Sequence, residues 1–139
     1  MKHILAMSLL LAANSAMANI IHKPSSRDCL QYTLYREARG ESLVTMRAVA
    51  DVVLNRSRKN RVTICETILA KGQFPYARHG IKRVTDTKFL TAYFKVLKMS
   101  ATLPDSYIYF NHRKHKWAAE HRKIGNLYFS KEKKHENNY

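Results

Sequence analysis

The chain is short of acid. Ten Asp and Glu stand against 25 Lys and Arg, a formal charge of +15 over 139 residues. That excess implies attraction to something anionic, without choosing among nucleic acid, a membrane surface and bacterial wall polymers. Other shortages remove whole classes of chemistry. The sequence has no phosphate-binding glycine loop, no GxSxG nucleophile elbow and no HExxH zinc helix. It has two cysteines, Cys29 and Cys65, at a spacing that matches no zinc pattern. There is no internal repeat and no linker that would split the chain, and 139 residues have room for one domain.

The single long apolar run lies at the start. Lys2 and His3 form a short basic region, Ile4 to Ala13 is apolar, and Ala16-Met17-Ala18 places small residues where a signal peptidase reads them. Residues 1–18 therefore read as a secretory signal peptide, since a membrane span needs about 20 apolar residues. A buried N-terminal helix is the competing reading. Export would place Cys29 and Cys65 in an oxidising compartment, where an even pair suggests one disulfide; two reduced core cysteines are the alternative if there is no export. The expected organisation is a leader over 1–18, a domain over 19–130 and a polar tail over 131–139.

Within that domain, helix signals dominate. Asp28 can cap a helix from Cys29 to Ala38, with Leu30, Leu34 and Ala38 on one face. Met46, Val49, Ala50 and Val53 recur at helical spacing in a second helix over about 43–57, capped by Ser42. Between them, Arg39-Gly40 makes a corner with Glu37 on one side and Glu41 on the other, and glycine permits positive φ there. Thr63 and Glu66 form a capping box for a third helix. Asp86 opens a fourth, whose apolar positions Phe89, Leu90, Tyr93, Phe94, Val96 and Leu97 make it the expected main packing helix. Tyr107 to Phe110 alternates as a strand, and the residues ending at Phe129 form a strand to pair with it. The basic run Arg56 to Arg61 suits a helix C-terminus and needs no functional explanation. The resulting fold class is α+β, mainly helical, with a small antiparallel sheet.

The chemistry centres on the Glu37 corner. A glutamate at a helix end, partly buried against apolar neighbours, has the raised pKa that a general acid needs near neutral pH. Glu41 is either a second acid, a helix cap or a partner of Arg39; glycosidic cleavage commonly uses two carboxylates. Asn55, a polar residue beside an apolar helical face, is a candidate to bond the Glu37–Gly40 corner. Gln73 and Phe74 form a polar and aromatic loop suited to a sugar or to hydrophobic anchoring. His112, His115 and His121 invite a metal reading, but the surrounding Lys and Arg oppose a divalent cation. Nucleic-acid binding is the rival from composition, through the two basic clusters and Tyr107, Tyr109, Phe110 and Trp117. A non-catalytic wall-binding protein is a third reading.

Taken together, Cys29 through Tyr35, the EARGE corner Glu37–Glu41, the run Ala48 to Arg56, Thr63-Ile64-Cys65, Gln73-Phe74, Tyr109 to His112, Trp117-Ala118 and Ile124 to Phe129 resemble the SleB-like family of bacterial cell wall hydrolases. The resemblance implies a domain distantly like lysozymes and lytic transglycosylases. It also implies cleavage of peptidoglycan between N-acetylmuramic acid and N-acetylglucosamine, with Glu37 as the catalytic acid. Asn55, Gln73, Phe74, Asn111, His112 and Trp117 would be groove or scaffold positions, and relatives with cysteines matching Cys29 and Cys65 look like those of Gram-negative bacteria and their phages. No cofactor is implied, no nucleic-acid partner and no stable membrane insertion are expected, and the implied protein is a monomer in the periplasm or outside the cell. Arg36 departs from the pattern, standing where many relatives carry an aromatic or small residue.

Overall fold

The computed structural model describes residues 23–118 and 120–132; the leader over 1–18 and all but the first two residues of the polar tail lie outside these. Among the described residues, four α-helices precede a small sheet: α1 (Ser26–Ala38), α2 (Leu43–Asn60), α3 (Ile64–Leu69) and α4 (Thr87–Leu97), then β1 (Tyr107–Asn111), β2 (His121–Ile124) and β3 (Leu127–Lys131). A 3₁₀ turn, Pro75–His79, lies between α3 and α4. This is a mixed α/β fold with a three-stranded antiparallel sheet in the order β1-β3-β2.

The helix starts follow their caps. Ser42 accepts from the Thr45 amide, Thr63 and Glu66 complete a reciprocal capping box, and Asp86 accepts from the Phe89 amide. For α1 the expected cap moves by three residues. Ser25 is the N-cap, and Asp28 is the partner that reaches back to it, so the helix begins earlier. The end of α2 runs on to Asn60, where Arg61 takes a left-handed conformation at φ 54° and closes the helix.

The packing order also differs from expectation. α2, not α4, is the central element, because α1, α3, α4 and β1 all pack around it. The predicted face of Met46, Val49, Ala50 and Val53 is buried, but so are Ala48, Asp51 and Val52, so the middle of α2 is enclosed on every side. α4 buries only Phe89, Tyr93 and Val96 and leaves Phe94 and Leu97 exposed. Cys29 and Cys65 form a disulfide joining α1 to α3; a crosslink closing a loop of that size contributes about 4 kcal/mol on chain-entropy grounds.

A line of polar side chains along α2 fixes the approach to the sheet. Asp51 is fully buried and accepts from Arg47 Nε at 2.8 Å, the Thr102 amide at 2.7 Å, Thr102 Oγ1 at 2.9 Å and the Leu103 amide at 3.1 Å. One turn on, Asn55 Nδ2 donates to the carbonyls of Pro104 and Tyr107 at 3.0 and 2.9 Å. Arg56 Nε then donates to the Ile108 carbonyl. The next strand is thereby laid against α2 by hydrogen bonds to successive parts of residues 102–108.

β1 does not alternate as its sequence suggests. Its register against β3 shifts between Tyr107 and Tyr109, so Tyr107 and Ile108 are both buried while Tyr109 and Phe110 are half-buried. The irregularity turns Phe110 towards Phe74 and Phe129, with ring centroids 6.3 and 6.1 Å away. β2 was not anticipated as a strand. Its residues His121, Arg122, Lys123 and Ile124 lack an apolar alternation; it is held as an edge strand by the two-residue Gly125-Asn126 turn into β3.

Replacing Asp51 by Ala leaves Arg47 without its ion partner and two backbone amides without acceptors in a buried site. Urea unfolding is expected to show a loss of about 3 kcal/mol or more, whereas Arg58→Ala, which breaks the exposed pair with Asp105, should cost less than about 1 kcal/mol.

Candidate active site

The corner between α1 and α2 is built as the sequence suggests. Gly40 sits at φ 88°, and the Glu41 amide donates back to the Ala38 carbonyl at 3.1 Å, so the chain reverses without a side-chain clash. Glu37 stands on the last turn of α1, half-buried, at the edge of a pocket of about 220 Å³. Gln73 and Phe74 from the loop after α3, Arg56 from α2, and Phe110, Asn111 and His112 from the end of β1 form the rest of its wall. Four segments, α1, α2, the loop after α3 and the end of β1, therefore meet around one carboxyl.

Burial pushes the Glu37 carboxyl above its ordinary 4.5, against opposing effects from the Tyr76 hydroxyl, His112 and Arg36. Desolvation wins because the acid backs onto aromatic rings. Tyr76 lies edge-on to Tyr32 at 5.8 Å and beside Phe74 at 5.9 Å, with the Arg36 guanidinium 5.0 Å from its ring centre. The Tyr76 and Thr33 hydroxyls are both buried with no partner in full hydrogen-bonding geometry. Tyr76 nevertheless approaches Glu37 closely enough to favour its charged form, while burial, followed by the charge of Glu37, raises the Tyr76 hydroxyl's own pKa. The phenol remains a neutral donor.

Several predicted site residues meet here and others do not. Glu37, Gln73, Phe74, Asn111 and His112 share the pocket. Glu41 does not line it. Asn126 Nδ2 donates to Glu41 Oε1 at 3.3 Å, and an added Cβ on Gly125 would stand 2.9 Å from Glu41 Oε2. Glu41 thus supports the β2–β3 turn. Asn55 is buried and does not line the pocket, and its amide bonds Pro104 and Tyr107 instead of the Glu37–Gly40 corner. Trp117 also stands apart from the pocket, half-exposed and packed on Tyr109 and His115 at 4.9 and 4.8 Å. Among the described residues, no group of three or more His, Cys, Asp and Glu is arranged to hold a metal ion, and no helix is long and apolar enough to cross a membrane.

Sequence reasoning missed Tyr76, Phe110 and Arg56 at the site. Tyr76 had a signal, two residues beyond Phe74 in the same aromatic loop. Arg56 was assigned to the solvated basic end of α2, but it is half-buried and donates through Nη1 to Gln73 Oε1 at 2.8 Å, across the pocket wall.

A family model described as Cell Wall Hydrolase matches residues 40–130. The chain belongs to the cell wall hydrolase family. The match covers α2 through β3 and begins at Gly40, three residues beyond Glu37, so membership rests on the scaffold and on the pocket residues from Arg56 to His112. No curated protein and no solved structure matches the chain significantly. For a cell wall hydrolase, a half-buried carboxyl in an otherwise polar and aromatic pocket is a chemically apt centre.

Because the Tyr76 hydroxyl favours the ionised form of Glu37, Tyr76→Phe should raise the Glu37 pKa further above 4.5. Carboxyl ¹³C NMR titration, with Glu37→Gln to assign the resonance, checks the direction. A downward or absent displacement would contradict the placement of the phenol beside the acid.

Proposed function

We propose that this cell wall hydrolase is an exported glycosidase that cleaves peptidoglycan between N-acetylmuramic acid and N-acetylglucosamine, with Glu37 as general acid and then base. The observation that carries the reading is the half-buried carboxyl at the rim of the groove, whose burial among the pocket walls raises its pKa above that of an ordinary glutamate, the direction a general acid needs. Family membership supports a wall substrate. The charge of +15 favours encounter with an anionic wall, and the disulfide suits the oxidising periplasm or exterior. A monomer acting without a cofactor or nucleic-acid partner completes the reading. The distant lysozyme-like and lytic-transglycosylase-like character implied by the resemblance belongs to the same proposal, supported by an acid at a helix end facing a small antiparallel sheet.

Among the described residues, Glu37 is the one carboxylate lining this pocket. That favours a mechanism with a single protein acid. Glu37 protonates the glycosidic oxygen as the bond from the muramic C1 breaks, and the 6-hydroxyl of the same muramic acid attacks C1. The Glu37 carboxylate then takes the hydroxyl proton, leaving a 1,6-anhydro end and restoring the acid. Asn111, His112 and Gln73 supply polar contacts to the sugars, and Phe74 and Phe110 supply the apolar wall. A pair of carboxylates flanking the bond, with water as acceptor, would instead produce reducing ends.

Mass spectrometry of products released from purified peptidoglycan tests this directly. The wild-type protein should release anhydromuramic ends, and Glu37→Gln should reduce the rate by about 10²-fold or more. Reducing muramic ends would contradict the single-acid route. Binding to the wall with no release by the folded wild-type protein would overturn the glycosidase reading in favour of a wall-binding protein.

A further inference from the structure

Arg56 poses a problem that the cleavage chemistry does not solve. Its guanidinium carbon lies over the rings of Phe74 and Tyr109, 5.7 and 5.3 Å from their centroids. It is half-buried, and its hydrogen bonds go to two neutral acceptors, the Ile108 carbonyl and Gln73 Oε1. Among the described residues, no carboxylate lies within ion-pair distance of it. A guanidinium has five N–H donors, so two bonds leave three for another group. Burial lowers its pKa, with Tyr109 acting in the opposite direction, so an anionic partner would stabilise the charged form of this half-buried group.

Its position suggests what that partner is. Arg56 and Gln73 line both the Glu37 pocket and an adjoining one of about 300 Å³ that reaches Tyr109, Thr67 and Val62. The two acids bordering this second pocket are already engaged, Glu66 in the capping box of α3 and Glu132 with Lys59. A ligand running from one pocket to the other would pass the edge of the guanidinium that Ile108 and Gln73 leave unused. That edge is a planar fork whose geometry fits a carboxylate.

We propose that Arg56 is an anion-recognition residue of the groove and binds a carboxylate carried by the glycan substrate. This rests on the peptidoglycan reading. Two sources offer that chemistry: the lactyl group of a muramic acid that has lost its peptide, or the free carboxylates of an attached stem peptide. The Phe74 and Tyr109 rings beside the guanidinium reduce its exposure to water, which strengthens the contact. Arg56 thereby selects among wall strands by their carboxylates, while Glu37 performs the bond cleavage.

The test measures binding in the Glu37→Gln protein, where turnover does not interfere. Isothermal titration at fixed ionic strength compares soluble peptide-bearing strands, peptide-free strands, and each of these after carbodiimide amidation of its carboxylates. Glu37→Gln should bind at least one carboxylated form about tenfold more tightly than its amidated counterpart. Adding Arg56→Gln should abolish that preference. Adding Lys98→Gln, which removes one positive charge from the exposed end of α4, should preserve it. A preference confined to peptide-free strands identifies the lactyl carboxylate, and one confined to peptide-bearing strands identifies the stem peptide. Arg56→Lys keeps the charge but loses the fork, should show a weakened preference, and supplies the comparison if Arg56→Gln does not fold. An equal preference with and without Arg56, or none in Glu37→Gln, overturns the proposal. Failure of the wild-type protein to cleave any strand, with the carboxylate preference intact, would contradict the glycosidase reading and leave Arg56 as an anion site; failure to bind any strand would overturn both.

Discussion

The buried polar line on α2, Asp51 to Asn55 to Arg56, is the constraint on which the rest of the structure depends. Asp51 gathers an arginine, a hydroxyl and two backbone amides, and Asn55 takes two carbonyls. Neither is tolerable in that environment without those partners, since a buried polar group left unpaired costs about 1 to 3 kcal/mol. Their satisfaction fixes residues 102–107 against the helix that also carries the core. β1 can then leave the helix in only one direction, bringing Phe110, Asn111 and His112 opposite Glu37. The scaffold and the site are two ends of one hydrogen-bonded arrangement.

On the other side, α1 holds the acid. The disulfide joins α1 to α3, and the loop after α3 brings Gln73, Phe74 and Tyr76 to the site. Glu37 is therefore confined between an element crosslinked covalently and one tied by hydrogen bonds. Its raised pKa is the consequence of burial, moderated by the Tyr76 hydroxyl and then by His112 and Arg36. The opposition matters, because an acid for glycosidic cleavage must be protonated when substrate arrives yet able to give up its proton.

Much of this was legible in the residues, for reasons that are local. The caps at Ser42, Thr63 and Asp86, the positive φ of Gly40 and the pairing of β1 with β3 follow from short-range chemistry that a sequence displays. The failures required tertiary knowledge. Asn55 was recognised as a polar residue needing partners, but which carbonyls it meets depends on the path of residues 104–107. Arg56 looked like one more cation at a helix end until the Phe74 loop and Tyr109 enclosed it. β2 consists of charged edge residues and is ordered by backbone pairing, which leaves no hydrophobic period to read. Glu41, four residues from Glu37, is carried to the β2–β3 turn by the Gly40 corner.

The central claim is that a desolvated Glu37 acts as the proton donor in wall cleavage, and the pH dependence of kcat/KM tests it most directly. A donor must be protonated, so activity should fall as pH rises through the Glu37 pKa, which lies above the ordinary 4.5. The account predicts a descending limb whose midpoint coincides with the Glu37 carboxyl titrated by NMR in the free protein. A rate that stays constant, or that rises, while Glu37 loses its proton would contradict it.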